Sequence, residues 1–196
     1  MPSNRPTVRP TDLVRICVTG PESTGKTTLA RELALWLDTE WVPEASRLYA
    51  ERVARPLVAS DVTPIAREHE ALADAAALRA RGRAARVLVL DTDLVSTIVY
   101  ARHYYGAAPR WIEAAEHARR ADLYLLCDVD VPWEADGIRD RPADRKPMFD
   151  RFRRALAMRR ANVVVVRGTW PERSAIARAA VSRLLDGLTA APFIVS

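Results

Sequence analysis

Cysteine and long apolar runs are scarce in this 196-residue chain. Its two cysteines, Cys17 and Cys127, each lie in a short apolar run without a neighbouring cysteine or histidine, which disfavours a disulfide or metal site and favours burial. No apolar run approaches the roughly 20 residues that a membrane helix needs. Residues 1–12 lack the apolar core of a signal peptide and are predicted to be a disordered lead. We therefore expect a cytoplasmic protein without a membrane partner.

Lysine is scarce as well, since the 30 basic residues include just two lysines, Lys26 and Lys146. With 25 acidic residues the formal net charge is +5, and a basic balance can indicate nucleic-acid binding. Here the arginines are dispersed along the chain among the acids, and anionic phosphate substrates explain the excess at least as well. We therefore expect no nucleic-acid partner. The compact positive charge of Lys26 is informative because arginine is used almost everywhere else.

Short apolar segments alternate with helical patterns along the chain. Strands are predicted at residues 14–19, 41–42, 87–91, 123–128 and 162–166, and helices at 29–38, 45–53, 64–81, 94–105, 109–119 and 171–188. Because the strands are apolar throughout and helices separate them, the sequence predicts an α/β fold with a five-stranded parallel sheet covered by helices on both faces. We expect a single domain over residues 13–190, followed by a short tail at 191–196.

A glycine-rich loop follows the first predicted strand. Its sequence satisfies the Gly-x4-Gly-Lys-Ser/Thr pattern of a phosphate-binding loop, with a strand before it and a helix after it. In such a loop the backbone amides and the helix start bind phosphates, Lys26 reaches the β- and γ-phosphates, and the Thr27 hydroxyl holds Mg²⁺. The sequence therefore predicts a P-loop NTPase whose nucleotide-binding residues are Gly20, Pro21, Glu22, Ser23, Thr24, Gly25, Lys26, Thr27 and Thr28.

Two carboxylates follow the third predicted strand. Ligands of parallel sheets bind beyond the carboxyl ends of the strands, where Gly20, Asp91, Asp128 and Gly168 all fall. Asp91 fits the position of a carboxylate placed beside the Mg²⁺ of the phosphate loop. Asp93 is a candidate to orient or deprotonate an accepting hydroxyl, and the alternative is that it caps the helix beginning at Leu94.

An arginine-rich segment, residues 133–146, has little apolar content and is predicted to be a basic loop. Phosphoryl transfer benefits from arginines that arrive when a loop closes, neutralise charge and exclude water. The candidates are Arg139, Arg141 and Arg145. The alternative is a solvated loop in which these arginines pair with Asp136, Asp140 and Asp144.

Taken together, these pieces resemble a known family. The matching segments are Gly20–Thr27, Glu44–Arg47, Asp91–Asp93 followed by Thr97, and Trp133–Asp140 followed by Arg145. Over roughly residues 14–187 the chain is similar to the ribosylnicotinamide kinase domain of the NadR-type proteins of NAD biosynthesis.

The resemblance implies transfer of the γ-phosphoryl group of ATP to the 5′-hydroxyl of nicotinamide riboside, with Mg²⁺, in a nucleoside-kinase-like fold whose lid is residues 133–146. It implies that Lys26, Asp91, Asp93, Arg139 and Arg145 are catalytic. Substrate-binding residues would be Glu44, Arg47, Asp93 and Trp133, with Trp133 the first choice for stacking on the flat, cationic nicotinamide ring ahead of Tyr100, Tyr104 and Tyr105.

The sequence leaves alternative functions open. The chain could be a kinase of another nucleoside or small alcohol, or a regulatory P-loop ATPase that acts as a switch. The oligomeric state is open, a homo-oligomer included. His69 is left outside the predicted site, because a lone histidine on an alanine-rich helix is usually structural.

Overall fold

The computed structural model describes residues 13–82, 85–132 and 145–189. The strands in these ranges are β1 Val14–Thr19, β2 Glu40–Val42, β3 Val87–Asp91, β4 Leu123–Cys127 and β5 Val163–Val166. The helices are α1 Lys26–Trp36, α2 Ala45–Val53, α3 Val62–Gly82, α4 Leu94–Tyr105, α5 Arg110–Arg119, α6 Arg145–Met158 and α7 Trp170–Thr189, with a 3₁₀ turn at Ala59–Asp61. The predicted lead at 1–12, the tail at 191–196 and most of the predicted lid lie outside the described residues.

The strands form one parallel sheet in the order β2-β3-β1-β4-β5. The predicted five-stranded α/β fold is therefore confirmed for the described ranges. In the register, Val18 of β1 pairs with Asp91 of β3, and Thr19 pairs with Leu126 of β4. The central strands thus end together, which places the phosphate loop after β1 beside the residues that follow β3 and β4.

Alternate residues of the central strands build a core on each face of the sheet. On one face, Cys17, Leu88 and Tyr124 pack with buried residues of α3, α4 and α6. On the other face, Ile16 and Leu125 pack with residues of α1 and α7. Because both faces are covered, β3 and β4 are buried along their whole length and are almost entirely apolar, which is the pattern that predicted a parallel sheet. Both cysteines are fully buried, as expected, and both are free thiols.

Helix α6 was not predicted from the sequence. Its buried side chains, Met148, Phe149, Phe152 and Leu156, lie on one face at helical spacing. Arg145, predicted to lie in a loop, is the first residue of this helix. In the described part of the chain, none of the helices combines the length and the apolar character that crossing a membrane requires.

Candidate active site

The phosphate loop contains two glycines whose backbone φ angles are positive, a conformation that other residues rarely adopt. Gly20 has φ +137°, and a Cβ atom there would lie 2.8 Å from the carbonyl oxygen of Cys127 at the end of β4. Gly25 has φ +78°, and a Cβ atom there would lie 3.1 Å from the indole of Trp170. Both positions therefore require glycine, in agreement with the sequence pattern.

The loop ends at the N-terminus of α1, where an anion is favoured. Helix α1 begins at Lys26, and its cap residue Gly25 has no side chain to occupy the first backbone amides. The Lys26 ammonium is buried and donates to the carbonyl oxygen of Pro21 at 2.7 Å, and the Thr24 hydroxyl donates to the same oxygen at 2.8 Å. A positive side chain and open helix amides thus converge, as phosphate binding requires.

Thr27 and Asp91 join the loop to the end of β3. The Thr27 hydroxyl donates to Oδ2 of Asp91 at 2.6 Å. Oδ1 of Asp91 is buried and has no hydrogen-bond partner among the described residues. Burial and the nearby Glu44 carboxylate raise the pKa of Asp91 to about 6, while Lys26 acts in the opposite direction. A further cation beside Asp91 would therefore favour its ionised form.

These oxygens fit Mg²⁺. Within the ranges described, no group of three or more His, Cys, Asp or Glu side chains could hold a metal ion. Mg²⁺ does not need such a group, since it is usually bound by one or two carboxylates together with substrate phosphates. The orphaned Oδ1 of Asp91 and the Thr27 hydroxyl are suitable protein ligands for an ion that accompanies a nucleotide.

Asp93 caps helix α4 and is held by a tyrosine. Its Oδ1 accepts from the backbone N–H of Val95 at 2.9 Å, and its Oδ2 accepts from the Tyr124 hydroxyl at 2.7 Å. Burial raises the pKa of Asp93 to about 6, and the Tyr124 hydrogen bond opposes that rise. The helix-cap alternative is therefore confirmed. Asp93 also lines a cavity, which is compatible with its predicted role toward an acceptor. That role stays a prediction.

Glu44 and Arg47 lie near Asp91, and neither lines the cavity described below, so their predicted substrate-binding roles stay predictions. Glu44 precedes α2, is 9% exposed and accepts from the Ser46 hydroxyl at 2.7 Å. Glu44 raises the pKa of Asp91 whereas Arg47 lowers it, so both charges are close enough to act on that carboxylate. The structure thus brings these two predicted residues to the same strand edge as the phosphate loop.

A cavity of about 750 Å³ opens between α2, α3 and α4 and is here named the α2–α4 cavity. Thr92 and Asp93 line it at the end of β3. The rings of Tyr100 and Tyr104 are stacked with centroids 6.0 Å apart, and both also line it. Its remaining lining residues are Ala45, Ser46, Ala50, Glu51, Ala54, Arg55, Pro56, Leu57, Val58, Val62, Ile65, His69, Ser96, Thr97, Ala101 and Tyr105.

The predicted lid residues have mixed outcomes. Arg145 lies against the phosphate loop, because its Nη2 donates to the carbonyl oxygen of Ser23 at 3.0 Å and its Nη1 to that of Val131 at 3.1 Å. Trp133 and Arg139 lie outside the described residues, and so does Arg141. Their predicted roles stay predictions.

Arg173 was missed by the sequence analysis. This side chain of α7 is 1% exposed and donates to the carbonyl oxygens of Thr24 at 3.1 Å, Asp128 at 3.1 Å and Gly168 at 3.0 Å, and it pairs with Asp130. It therefore connects the phosphate loop to the ends of β4 and β5. No local pattern distinguishes it from the other arginines of the chain.

His69 lies outside the predicted site, yet it lines the α2–α4 cavity. It is 7% exposed. Burial, with the positive charges of Arg15 and Arg119, lowers its pKa to about 4. His69 is therefore neutral at physiological pH and offers the cavity an imidazole that can donate or accept a hydrogen bond.

A family model described as an AAA domain matches residues 15–173. This chain belongs to that AAA-domain family. The matched range includes the phosphate loop, both carboxylates after β3 and Arg173. The family model therefore spans the site residues described above.

Similar proteins come from sequence and from structure comparison. The trifunctional NAD biosynthesis/regulator protein NadR of Escherichia coli strain K12 is 32% identical over 147 residues, covering 71% of this chain and 34% of NadR. The matched segment thus spans about a third of that relative's length. A solved NadR protein in complex with NR superposes with a TM-score of 0.69 at 25% identity, covering 88% of this chain and 51% of that one. The resemblance to NadR proteins is confirmed.

A thymidylate kinase from Ehrlichia chaffeensis shares the fold. It superposes with a TM-score of 0.61 at 15% identity, covering 88% of this chain and 99% of that one. At this identity the likeness concerns the fold alone. The architecture of this chain is therefore that of the P-loop kinases.

Proposed function

We propose that this protein is an ATP-dependent kinase that phosphorylates the 5′-hydroxyl of nicotinamide riboside (NR) to give nicotinamide mononucleotide. The observation that carries the proposal is the position of residues 91–93 at the end of β3, where they connect the phosphate loop to the α2–α4 cavity. Asp91, at the end of β3, is hydrogen-bonded to Thr27 of the phosphate loop. Asp93, two residues later, lines the α2–α4 cavity. A phosphate donor and an alcohol acceptor would therefore meet at residues 91–93.

The phosphate loop would bind the donor. The amides at the start of α1 and the Lys26 ammonium would hold the β- and γ-phosphates of ATP. Thr27 and Asp91 would hold Mg²⁺, which when bound neutralises the phosphate charge. Arg145, which already donates to the carbonyl oxygen of Ser23 in the loop, would add a second positive charge.

The acceptor would bind in the α2–α4 cavity. Asp93 would accept a hydrogen bond from the 5′-hydroxyl and take its proton as the new oxygen–phosphorus bond forms and ADP leaves. The Val95 amide and the Tyr124 hydroxyl fix the orientation of this carboxylate beforehand. Asp93 needs to be ionised for this role, and its pKa of about 6 leaves it mostly ionised at neutral pH.

Nicotinamide riboside suits the cavity better than a neutral nucleoside does. Its ring is flat and cationic, and aromatic faces attract such rings. Tyr100 and Tyr104 offer stacked rings in the cavity wall. The similarity to a NadR protein solved in complex with NR supports the same acceptor class.

The test is a screen of ADP release from ATP and Mg²⁺ with nicotinamide riboside, its reduced uncharged form, ordinary nucleosides or no acceptor. We expect release to depend on the oxidised riboside and the product to be identified as its 5′-monophosphate. Higher specificity for another nucleoside would replace the proposed acceptor. Release that is equally fast without any acceptor would instead indicate a regulatory ATPase.

A further inference from the structure

Residues 54–58, Ala-Arg-Pro-Leu-Val, follow α2 and all line the α2–α4 cavity. We name them the wall segment. Four of the five are exposed, and Leu57 is half-buried. The segment contains no helical or strand residue. Since apolar burial and a backbone ladder contribute little here, polar contacts have to fix this side of the cavity.

One buried carboxylate provides most of those contacts. Asp61, in the 3₁₀ turn, is 3% exposed. It accepts from Nη1 of Arg55 at 2.7 Å, from Nη2 of Arg55 at 2.9 Å and from the backbone N–H of Val58 at 2.8 Å. The Tyr49 hydroxyl of α2 adds a fourth hydrogen bond at 3.1 Å. Arg55 and the Val58 amide hold the pKa of Asp61 well below its usual range, so it stays ionised.

A second attachment comes from α4. The hydroxyl of Tyr105, the last residue of that helix, donates to the carbonyl oxygen of Leu57 at 2.9 Å. Helix α4 also carries the stacked Tyr100 and Tyr104. The wall segment is thus attached to the 3₁₀ turn near both of its ends and to the aromatic side of the cavity in its middle.

We propose that Asp61 is a positioning residue for acceptor binding, which acts by fixing the wall segment against the α2–α4 cavity. Asp61 itself is not among the residues that line the cavity, so its effect on a ligand passes through Arg55 and Val58. The identity of the acceptor rests on the proposed function above. The role of Asp61 concerns whichever acceptor the screen identifies.

The chain offers a matched control for this proposal. Arg52 of α2 and Glu68 of α3 form a two-fold ion pair at 2.9 and 2.5 Å, and neither residue lines the cavity. Asp61→Asn removes the charge that holds Arg55, whereas Glu68→Gln weakens a link between α2 and α3 and leaves Asp61 and Arg55 themselves in place. General loosening of α2 would affect both variants, and loss of the wall segment would affect Asp61→Asn alone.

The experiment measures KM for the acceptor and for ATP separately, together with hydrogen–deuterium exchange of the peptides covering residues 54–58. For Asp61→Asn we expect the acceptor KM to rise about tenfold, from the loss of charged hydrogen bonds, with the ATP KM within about twofold of wild type. Exchange at the Val58 amide should accelerate. Glu68→Gln should leave the acceptor KM and the exchange of this segment unchanged.

Three outcomes would overturn the proposal: an unchanged acceptor KM, equal increases of both KM values, or equal effects of Asp61→Asn and Glu68→Gln. If Asp61→Asn fails to fold, Tyr105→Phe tests the attachment of the wall segment, because it keeps the ring and removes the hydroxyl that donates to Leu57. We then expect a smaller increase of the acceptor KM in the same direction, and no increase contradicts the proposal. A wild-type protein inactive on nicotinamide riboside refutes the proposed substrate, while exchange at Val58 still tests the role of Asp61.

Discussion

Tyr124 of β4 donates its hydroxyl hydrogen to Oδ2 of Asp93, 31 positions earlier in the chain, at 2.7 Å. Tyr124 is fully buried, and its oxygen also accepts from the backbone N–H of Ala121 at 3.3 Å. The Asp93 carboxylate, which caps α4, is therefore held by a buried residue of the sheet, and Asp93 also lines the α2–α4 cavity. A buried carboxylate needs hydrogen-bond donors, and Tyr124 provides one to Oδ2 while the helix backbone provides one to Oδ1.

Asp93→Asn tests whether the carboxylate also serves the reaction. Asparagine is a good helix cap, so the free energy of unfolding should change little. Loss of the proton acceptor should lower kcat about 100-fold or more, without weakening ATP binding. Steady-state kinetics and a nucleotide-binding titration measure both effects. A variant that changes thermal stability alone would leave the helix cap as its sole role.

Tyr124→Phe tests the support itself. Removing the hydroxyl leaves Asp93 with one donor fewer in a buried setting, which should lower the free energy of unfolding by about 1–3 kcal/mol. If Tyr124 positions the carboxylate, kcat should also fall, by less than in Asp93→Asn, and the ATP KM should stay unchanged. Denaturant unfolding and initial-rate kinetics provide the two measurements, and an unaltered kcat would limit Tyr124 to a structural role.

Lys26→Ala tests the phosphate loop. The buried ammonium is the side-chain cation at the start of α1, and its loss should reduce kcat/KM by about 100-fold or more because charge on the transferred phosphoryl group is no longer neutralised. Arg31→Ala, an exposed cation on the same helix, is the matched control and should retain near-normal turnover. Circular dichroism should show that both variants are folded, and near-normal activity of Lys26→Ala would refute the loop assignment.

The parts of the site that follow local rules could be predicted from the sequence. The loop was recognisable because its glycines and Lys26 are close together in the chain. The Thr27–Asp91 pair spans 64 positions, yet it was expected because parallel strands end at one edge of the sheet. The sequence left two alternatives for Asp93, a residue that acts on the acceptor hydroxyl and a helix cap. A carboxylate between the end of a strand and the start of a helix is suited to both roles.

Other parts depend on contacts that no local pattern encodes. Arg173 reaches Thr24 across 149 positions, and an arginine on an amphipathic helix usually points to solvent. The wall segment lines the cavity, and its described anchors include Asp61 and the distant Tyr105, which lies 48 positions from Leu57. Helix α6 carries a helical apolar pattern from Met148 to Leu156, yet no element is predicted from the sequence between residues 147 and 161, and the predicted arginine-rich loop overlaps the first two residues of the helix.

Arg173→Met tests the link between the phosphate loop and the strands beside it. Methionine fills similar space but leaves the carbonyl oxygens of Thr24 and Gly168 without their donor, so we expect a loss of about 3 kcal/mol in the free energy of unfolding. Because the loop loses a support, the ATP KM should rise about tenfold while the acceptor KM changes little.

The control for this substitution is Arg178→Met on the same helix. Its side chain is partly exposed and pairs with Glu32 of α1, without contact to the loop. Initial-rate kinetics at varied ATP should separate the two variants. Equal ATP KM values in both would show that Arg173 stabilises the fold without positioning the nucleotide.

His69→Gln tests the buried imidazole through the pH dependence of stability. The pKa of His69 is about 4 in the folded protein, below its ordinary value of 6.5, so the unfolded chain binds the proton first as pH falls. The wild type should therefore lose stability between pH 6.5 and 4, by at most about 1.4 kcal/mol per pH unit from this residue. Glutamine cannot be protonated, and other groups titrate alike in both proteins. Denaturant unfolding from pH 4.5 to 8 should thus show the wild type weakening relative to the variant below pH 6.5, and parallel curves would mean that His69 takes up its proton in the folded state.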